Sequence, residues 1–424
     1  MIKSRCTYTA LLWLLLPRVL WHLFERARRQ PAYREHLGER FGRYALPTKQ
    51  PLIWIHAVSV GETRAAAPLI ARLQSTYPQH AILLTNMTPT GRETARQLYG
   101  DTVLNCYLPY DFPFAVARFL AHFKPSMGIL METEIWFNLI HACHQQNLPL
   151  LLANARLSEK SATKYARFGA LTRTALGQLR GIATQTEADA KRFLSLGATA
   201  VQVTGNLKFD LHPQANDLDL GSALRAQFGD SRRVLLAAST REGEEALLLD
   251  ALDKIAVPDV LLVIVPRHPQ RFDDVAALLQ QRGIAYQRRS DNQTIDASTR
   301  VVLGDSMGEM FAYYAACDIA FIGGSLLPLG GQNLLEAGAL GKPVLIGPHT
   351  FNFSEATALA IAAGAAQRVD NAEELAATTS ALFGDVARMA AMGQAGKSFV
   401  AAHQGAAKRT LKIIADEMRR MGGA

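Results

Sequence analysis

Leu52-Ile-Trp-Ile-His56-Ala-Val-Ser59-Val-Gly61-Glu62 is an apolar run that stops at a short polar turn and passes at once into a helical pattern over 63–74. Consecutive apolar residues followed by a helix start predict a strand buried on both faces, the unit of a parallel sheet with helices on each side. The unit recurs. Residues 81–85, 103–107, 127–130, 150–152, 182–184 and 201–203 read as further strands, and helical patterns such as 112–123 and 158–179 fill the gaps. Apolar strands alternating with helices predict a doubly wound α/β domain.

The rhythm is lost after Phe209, where Pro213, Asn216, Gly221 and Gly229 punctuate a stretch without strong periodicity. It resumes at 234–237, 261–265, 285–288, 301–303, 319–322 and 344–346, and beyond Glu373 the pattern is helical to a basic amphipathic end at 407–420. The expected organisation is a hydrophobic and basic membrane-anchoring segment at 1–30, a Rossmann-like domain at 31–210, a linker at 211–231, a second Rossmann-like domain at 232–402, and a C-terminal helix at 403–424 able to pack back on the first domain. Two doubly wound domains facing an interdomain cleft are the fold expectation. In such sheets ligands sit beyond the carboxyl ends of the strands, so the chemistry belongs at strand-to-helix junctions.

Composition narrows the field. With 424 residues, 31 Gly and 18 Pro, the chain is long enough for full cores and is neither disordered, collagen-like nor coiled-coil. Cys6, Cys106, Cys143 and Cys317 are too scattered for a zinc site and suit a reducing compartment. The net charge of +8 favours an anionic partner, and half of it lies in residues 18–43, seven Arg against three Glu. That basic segment directly follows an apolar run over 7–24 that Pro17, Arg18 and His22 interrupt. An apolar helix joined to a basic segment suits an anionic bilayer surface, with a single span or an arm packed on its own domain as the other readings. Since no ladder of aromatic and basic residues appears elsewhere, a nucleic-acid partner is not expected.

At the first junction, Ser59-x-x-Glu62 fits two roles. One is a capping box, in which Ser59 and Glu62 satisfy helix N–H groups. The other is a carboxylate that accepts a proton from an incoming hydroxyl, kept ionised by the helix start. Thr88-Pro-Thr90-Gly91, Glu132-Thr-Glu134-Ile-Trp136 and Asn154-Ala-Arg156 close later strands, and Lys208 closes the domain. The acids are favourable at helix starts in any case, while Arg156 and Lys208 suit anion or acceptor contacts.

In the second half Ser239-x-x-Glu242 and Ser306-x-x-Glu309 again read as caps, and the latter's backbone also suits the edge of a base. Arg267, between Pro266 and Pro269, fits a phosphate or nucleobase contact or a plain surface arginine. Gly323-Gly324-Ser325 leads through Gly330, Gly331 and Asn333 to Glu336. Glycines there let backbone approach a phosphate, a helix beginning near Gln332 aims its positive end at it, and Glu336 suits ribose hydroxyls. No GxxxxGK[ST] and no GxGxxG after the first strand support an ATPase or a dehydrogenase. Asp217 and Asp219 have metal-pair spacing but fall in the expected linker, so no metal is expected.

The segments 56–62, 88–91, 131–136, 154–158, 205–210, 266–269 and 333–336, in this order, resemble the 3-deoxy-D-manno-octulosonic acid (Kdo) transferases of Gram-negative bacteria over essentially the whole chain. The resemblance implies a GT-B glycosyltransferase at the cytoplasmic face of the inner membrane, inverting, without metal or cofactor. Its partners would be CMP-Kdo as donor, a tetra-acylated lipid A precursor as acceptor, and the anionic membrane surface. Glu62 matches the family's catalytic base, and Arg267, Gly308, Glu309, Met310, Asn333 and Glu336 match the segment that holds the donor. Ser59, Gly61, Thr88, Thr90, Glu132, Glu134, Arg156 and Lys208 are the expected acceptor-side residues, and Gly323, Gly324 and Ser325 are expected on the donor side. Gln332 stands where the family usually has His, and Leu334 where it has Pro. A nucleotide-sugar epimerase on the same fold and a non-catalytic membrane-surface binding protein are the alternatives; neither explains the apolar arm, the glycine-rich turn and Glu62 together.

Overall fold

The runs read as strands pair in parallel in the computed structural model, which describes residues 4–46, 51–211 and 213–422. The first sheet holds β1 (Leu52–His56), β2 (Ala81–Asn86), β3 (Leu104–Tyr107), β4 (Met127–Met131), β5 (Leu150–Ala155), β6 (Gly181–Thr184) and β7 (Val201–Val203) in the order β3-β2-β1-β4-β5-β6-β7. Every residue of β1 is buried, as a strand covered on both faces requires. Trp54 fills one face and donates from Nε1 to Thr85 Oγ1 at 2.8 Å. Gly128 opposite must be glycine, since a Cβ there would lie 2.6 Å from Leu150 Cδ1 and 2.7 Å from the Trp54 ring.

The second sheet holds β8 (Arg233–Thr240), β9 (Val260–Pro266), β10 (Tyr286–Arg288), β11 (Val301–Leu303), β12 (Ile319–Ile322), β13 (Val344–Ile346) and β14 (Ala366–Arg368) in the order β10-β11-β9-β8-β12-β13-β14. Edge strand β14, an Ala-Gln-Arg tripeptide, lies in a stretch where no strand was expected because it has no apolar run. In both sheets the order reverses beside the first strand, between β1 and β4 and between β8 and β12, and the loops leaving those strands flank the switch points.

The chain divides into two compact units, Met1–Asp210 with Gln404–Ala424, and Leu211–His403. The stretch 211–231 is not a linker. Ala215–Phe228 is a helix of the second unit, started by Asp217 Oδ2 accepting from Gln214 N at 2.9 Å. Gly221 reads as a helix breaker but is a point of close approach, where a Cβ would lie 2.4 Å from Ala315 Cβ in the helix Met310–Ala316. Asp217 is thus a helix cap rather than half of a metal pair.

The C-terminal helix Ala406–Gly422 belongs to the first unit. Asp210 accepts from the N–H groups of Gly405 and Ala407 at its start, Arg409 Nε reaches Thr204 O at 2.7 Å, and Ile413 and Ile414 join the core formed with Ile129 and Leu151. The expected single helix over 158–179 is two, Glu159–Ala166 and Ala170–Gln178, divided at Gly169, whose φ of +47° suits glycine.

The N-terminal helix Arg5–Arg29 continues through Pro17. Its first turns are fixed to the first unit: Tyr8 Oη donates to Asp111 Oδ2 at 3.0 Å, and Arg5 and Thr9 both reach Asn138 Oδ1. Asp111 in turn accepts from the Asn138 and Leu139 N–H groups at the start of the helix Phe137–Gln145. Further along, Leu14, Trp21 and Phe24 are 77%, 67% and 57% exposed, a run of large apolar side chains that the protein itself leaves uncovered. By length and composition this helix is able to cross a membrane, and none of that window is buried.

Candidate active site

The loop leaving β1 carries Glu62 into the helix Val60–Ala65 at the switch point of the first sheet. Glu62 Oε2 accepts from Val58 N–H at 2.7 Å, and Oε1 accepts from Ser59 Oγ at 3.3 Å. The reciprocal capping box is not formed, because Ser59 caps no backbone N–H. Nor does the helix start keep Glu62 ionised. Burial raises its pKa to about 8, and Glu132 and Glu134 push the same way against the hydrogen bonds from Val58 and Ser59. A short helix offers little dipole, and desolvation of the carboxylate outweighs it.

Glu132 and Glu134 follow β4, the neighbour of β1. Glu132 has a φ of +56°, an uncommon left-handed backbone for a side-chain-bearing residue, and its Oε1 lies 3.9 Å from Lys208 Nζ. Glu134 accepts from Trp136 Nε1 at 2.5 Å, and burial raises its pKa too. His56, at the end of β1, is wholly buried. Its Nδ1 bonds Thr85 O and Oγ1 at 3.1 and 2.9 Å, and its ring meets that of Trp136 edge-on with centroids 5.7 Å apart. Burial lowers its pKa to about 3, so the ring is neutral. Three carboxyl groups, one lysine and a neutral imidazole therefore gather beyond β1 and β4, an arrangement that lets one carboxyl hold a proton near neutral pH.

Thr88 caps the helix Pro89–Tyr99 by accepting from Gly91 N at 3.1 Å, and Thr90 Oγ1 lies 3.5 Å from Thr88 Oγ1. Thr88 Oγ1 also reaches Val58 O at 3.4 Å, so this turn braces the Glu62 loop. Gly61 is not sterically required, since among the described residues a Cβ there meets only Ser59 Oγ at 3.9 Å. Arg156 is exposed, and its carbonyl accepts from Thr133 Oγ1 at 2.8 Å, tying the ends of β4 and β5 together.

In the second unit the candidate donor residues also follow strand ends. Arg267 leaves β9, its N–H donating to Thr240 O at 2.9 Å. Glu309 accepts from Ser306 Oγ at 2.6 Å and pairs with Arg289 at 3.4 Å, ahead of the helix that Met310 opens. Gly308 has a φ of +86°, and among the described residues nothing lies within 4 Å of where its Cβ would be. Asn333 Nδ2 donates to Glu336 Oε1 at 3.0 Å, and Asn333 Oδ1 accepts from Leu335 N at 3.1 Å.

Two expectations change here. The helix expected near Gln332 starts at Leu335 and is five residues long, too short to aim a dipole. The amides of Gly323, Gly324 and Ser325 are not open to a phosphate: Gly323 N donates to Ala238 O at 2.8 Å, and the other two donate to the carboxylate of Glu244. Glu242 does not cap either, since the helix Glu244–Leu252 begins after Gly243. Sequence reasoning gave no role to Glu244, Glu245, His56 or Trp136. Two acids ahead of Ala-Leu-Leu-Leu look like ordinary first-turn acids, and only the fold shows them buried, at 0% and 1% exposure.

A family model described as 3-Deoxy-D-manno-octulosonic-acid transferase (kdotransferase) matches residues 35–211. A 3-deoxy-D-manno-octulosonic acid transferase of Bordetella pertussis is 43% identical over 97% of this chain and 99% of its own length. One of Haemophilus influenzae is 38% identical over 98% and 99%. Among solved structures, a UDP-GlcNAc 2-epimerase from Neisseria meningitidis bound to UDP-GlcNAc matches with a TM-score of 0.58 at 19% identity, covering 86% of this chain and all of that one. A glycosyltransferase from Rickettsia africae matches at 0.57 and 15%, covering 88% and 99%. At such identities these two structures speak to the fold alone.

Proposed function

The chain belongs to the 3-deoxy-D-manno-octulosonic acid (Kdo) transferase family, and on that premise we propose that it moves Kdo from CMP-Kdo to a sugar hydroxyl of a tetra-acylated lipid A precursor, with inversion. The observation that carries the reading is Glu62: a partly buried carboxyl at a switch point, oriented by Val58 and Ser59, with its pKa raised to about 8. A carboxylate of raised pKa is a stronger base once ionised and is matched to abstracting a hydroxyl proton.

In this account the acceptor hydroxyl gives its proton to Glu62 as its oxygen attacks the anomeric carbon of Kdo. The bond from that carbon to the CMP phosphate oxygen breaks, and CMP leaves with the electron pair from the opposite face. One displacement with no sugar–enzyme bond inverts the anomeric centre. Arg267, Gly308, Glu309, Met310, Asn333 and Glu336 are assigned to the donor. Glu132, Glu134, Arg156 and Lys208 are assigned to the acceptor side, where Arg156 and Lys208 suit lipid phosphates. The leaving phosphate is stabilised by the cationic side chain of Arg267, for which no metal is invoked. The exposed apolar face of the N-terminal helix and the basic residues after it support attachment at the cytoplasmic face of the inner membrane, where a lipid acceptor is within reach.

The test is acceptor-dependent CMP release by protein in detergent, with CMP-Kdo, with and without the lipid A precursor, and with the lipid weighed by mass spectrometry. The reading expects CMP released in step with a Kdo mass increment on the lipid. CMP release without a lipid product, from folded protein that binds donor, overturns the acceptor assignment.

A further inference from the structure

Glu244 is a wholly buried carboxylate that four backbone N–H groups surround. Oε1 accepts from Ser325 N at 2.9 Å and Leu326 N at 3.0 Å; Oε2 accepts from Gly324 N at 2.5 Å and Arg241 N at 2.9 Å. Three of these donors come from the turn after β12, some 80 residues away in sequence, and the fourth from the loop before Glu244's own helix. A first-turn acid is ordinarily explained by its own helix, but this one serves other segments. A convergent set of backbone N–H groups is an anion nest, and here the chain supplies the anion itself.

The nest is joined to the candidate donor residues. Gly324 O accepts from Gly331 N at 2.6 Å, two residues before Asn333. Ser325 receives Gly347 N on its Oγ at 2.8 Å and His349 N on its carbonyl at 3.0 Å. The adjacent Glu245 accepts from Thr240 Oγ1 and from Arg271 Nη2, both at 2.9 Å, while Thr240 O holds Arg267 N. The loops leaving β8, β9 and β12 are thus gathered around two neighbouring buried carboxyl groups.

We propose that Glu244 is a positioning residue of the donor site: an internal anion that fixes the 324–326 turn and, through Gly331, the 331–336 segment assigned to the donor. The inference rests on that donor assignment. It also explains why so glycine-rich a turn leaves its amides unavailable to phosphate. The carboxylate has filled the place an anion would take.

Glutamine in this position offers one acceptor oxygen and turns an NH2 group toward N–H donors, leaving buried amides unmet. Alanine opens a space ringed by N–H groups that fits a small carboxylate. The experiment uses the full chain in detergent, with Glu244→Gln and Glu244→Ala, and formate as the probe. The folded Gln variant is expected to bind CMP about tenfold more weakly and to show a donor KM raised as much, with kcat within about threefold, the split expected when a ground-state binding contact is lost. Formate at about 100 mM should raise the unfolding temperature of the Ala variant and restore its CMP affinity, with no such effect on wild type, by selective binding to the opened nest. A folded Gln variant with wild-type CMP affinity and KM overturns the proposal, as does an Ala variant indifferent to formate. Should both variants fail to fold, hydrogen exchange in wild type decides: the amides of 324–326 must exchange as slowly as those of β12, and fast exchange there contradicts the anion role. Wild-type protein that does not bind CMP overturns the donor assignment instead; formate's effect on the unfolding temperature of the Ala variant is independent of it, which keeps the two failures apart.

Discussion

The backbone N–H of Val58 donates to Glu62 Oε2 across 2.7 Å, holding the candidate base by the loop that leaves the central strand β1. Without this bond and the one from Ser59, burial would raise the carboxyl further still. The side chain is thus oriented by its own loop, while its ionisation is set by its surroundings.

That ionisation gives the reaction a pH profile. A carboxyl that already holds a proton accepts no other, so kcat/KM should rise about tenfold per pH unit in the acidic range and level off above pH about 8, where Glu62 is ionised. Initial rates of Kdo transfer across pH 5.5–9.5 (roughly the span needed on either side of that value) check this; a profile flat between pH 6 and 9 speaks against Glu62.

Stability should move the opposite way. In the unfolded chain Glu62 ionises near its ordinary 4.5, and in the folded protein near 8. Between these values unfolding releases a proton, so the folded state loses stability as pH rises through the window, and the whole cost remains above it. Glu62→Gln removes that cost. The variant should unfold at a higher temperature than wild type at pH 9 and at nearly the same temperature at pH 4, as read by scanning calorimetry.

Glu132 and Glu134 add to the raised pKa of Glu62 by their charge. Glu134→Gln should therefore shift the inflection of the rate profile to lower pH. Removing the cation near Glu132 with Lys208→Met should shift it upward, since Lys208 Nζ lies 3.9 Å from Glu132 Oε1. Shifts of the same sign in both variants contradict this arrangement.

Leu14, Trp21 and Phe24 are exposed on the N-terminal helix although its first turns are tied to Asp111 and Asn138. Trp21→Asp with Phe24→Asp should reduce partition onto vesicles containing phosphatidylglycerol by about tenfold or more, from lost apolar burial and added negative charge. Co-sedimentation measures it. Unchanged partition means that another surface makes the attachment.

The parallel sheets were legible because strands such as β1 and β9 are buried on both faces and appear as unbroken apolar runs. Strand β14 has no such run and exists by pairing with β13 at a sheet edge. The helix 215–228 was hidden by Gly221, whose purpose is close approach to Ala315 rather than a turn. Glu62 was legible as a junction carboxylate, but its pKa was not, because the opposing carboxyl groups come from a loop some 70 residues away. The glycines of 323–324 gave the right place for a turn and the wrong use for its amides. Nothing local marks Glu244 as the residue that takes them.

The central claim is that Glu62 removes the acceptor's proton. Single-turnover transfer from saturating CMP-Kdo to the lipid A precursor by Glu62→Gln tests it most directly, with CMP affinity measured on the same preparation. The account predicts a rate lower by about 10²–10⁴-fold with CMP affinity unchanged, the scale of a lost general base. A rate within a few-fold of wild type contradicts it.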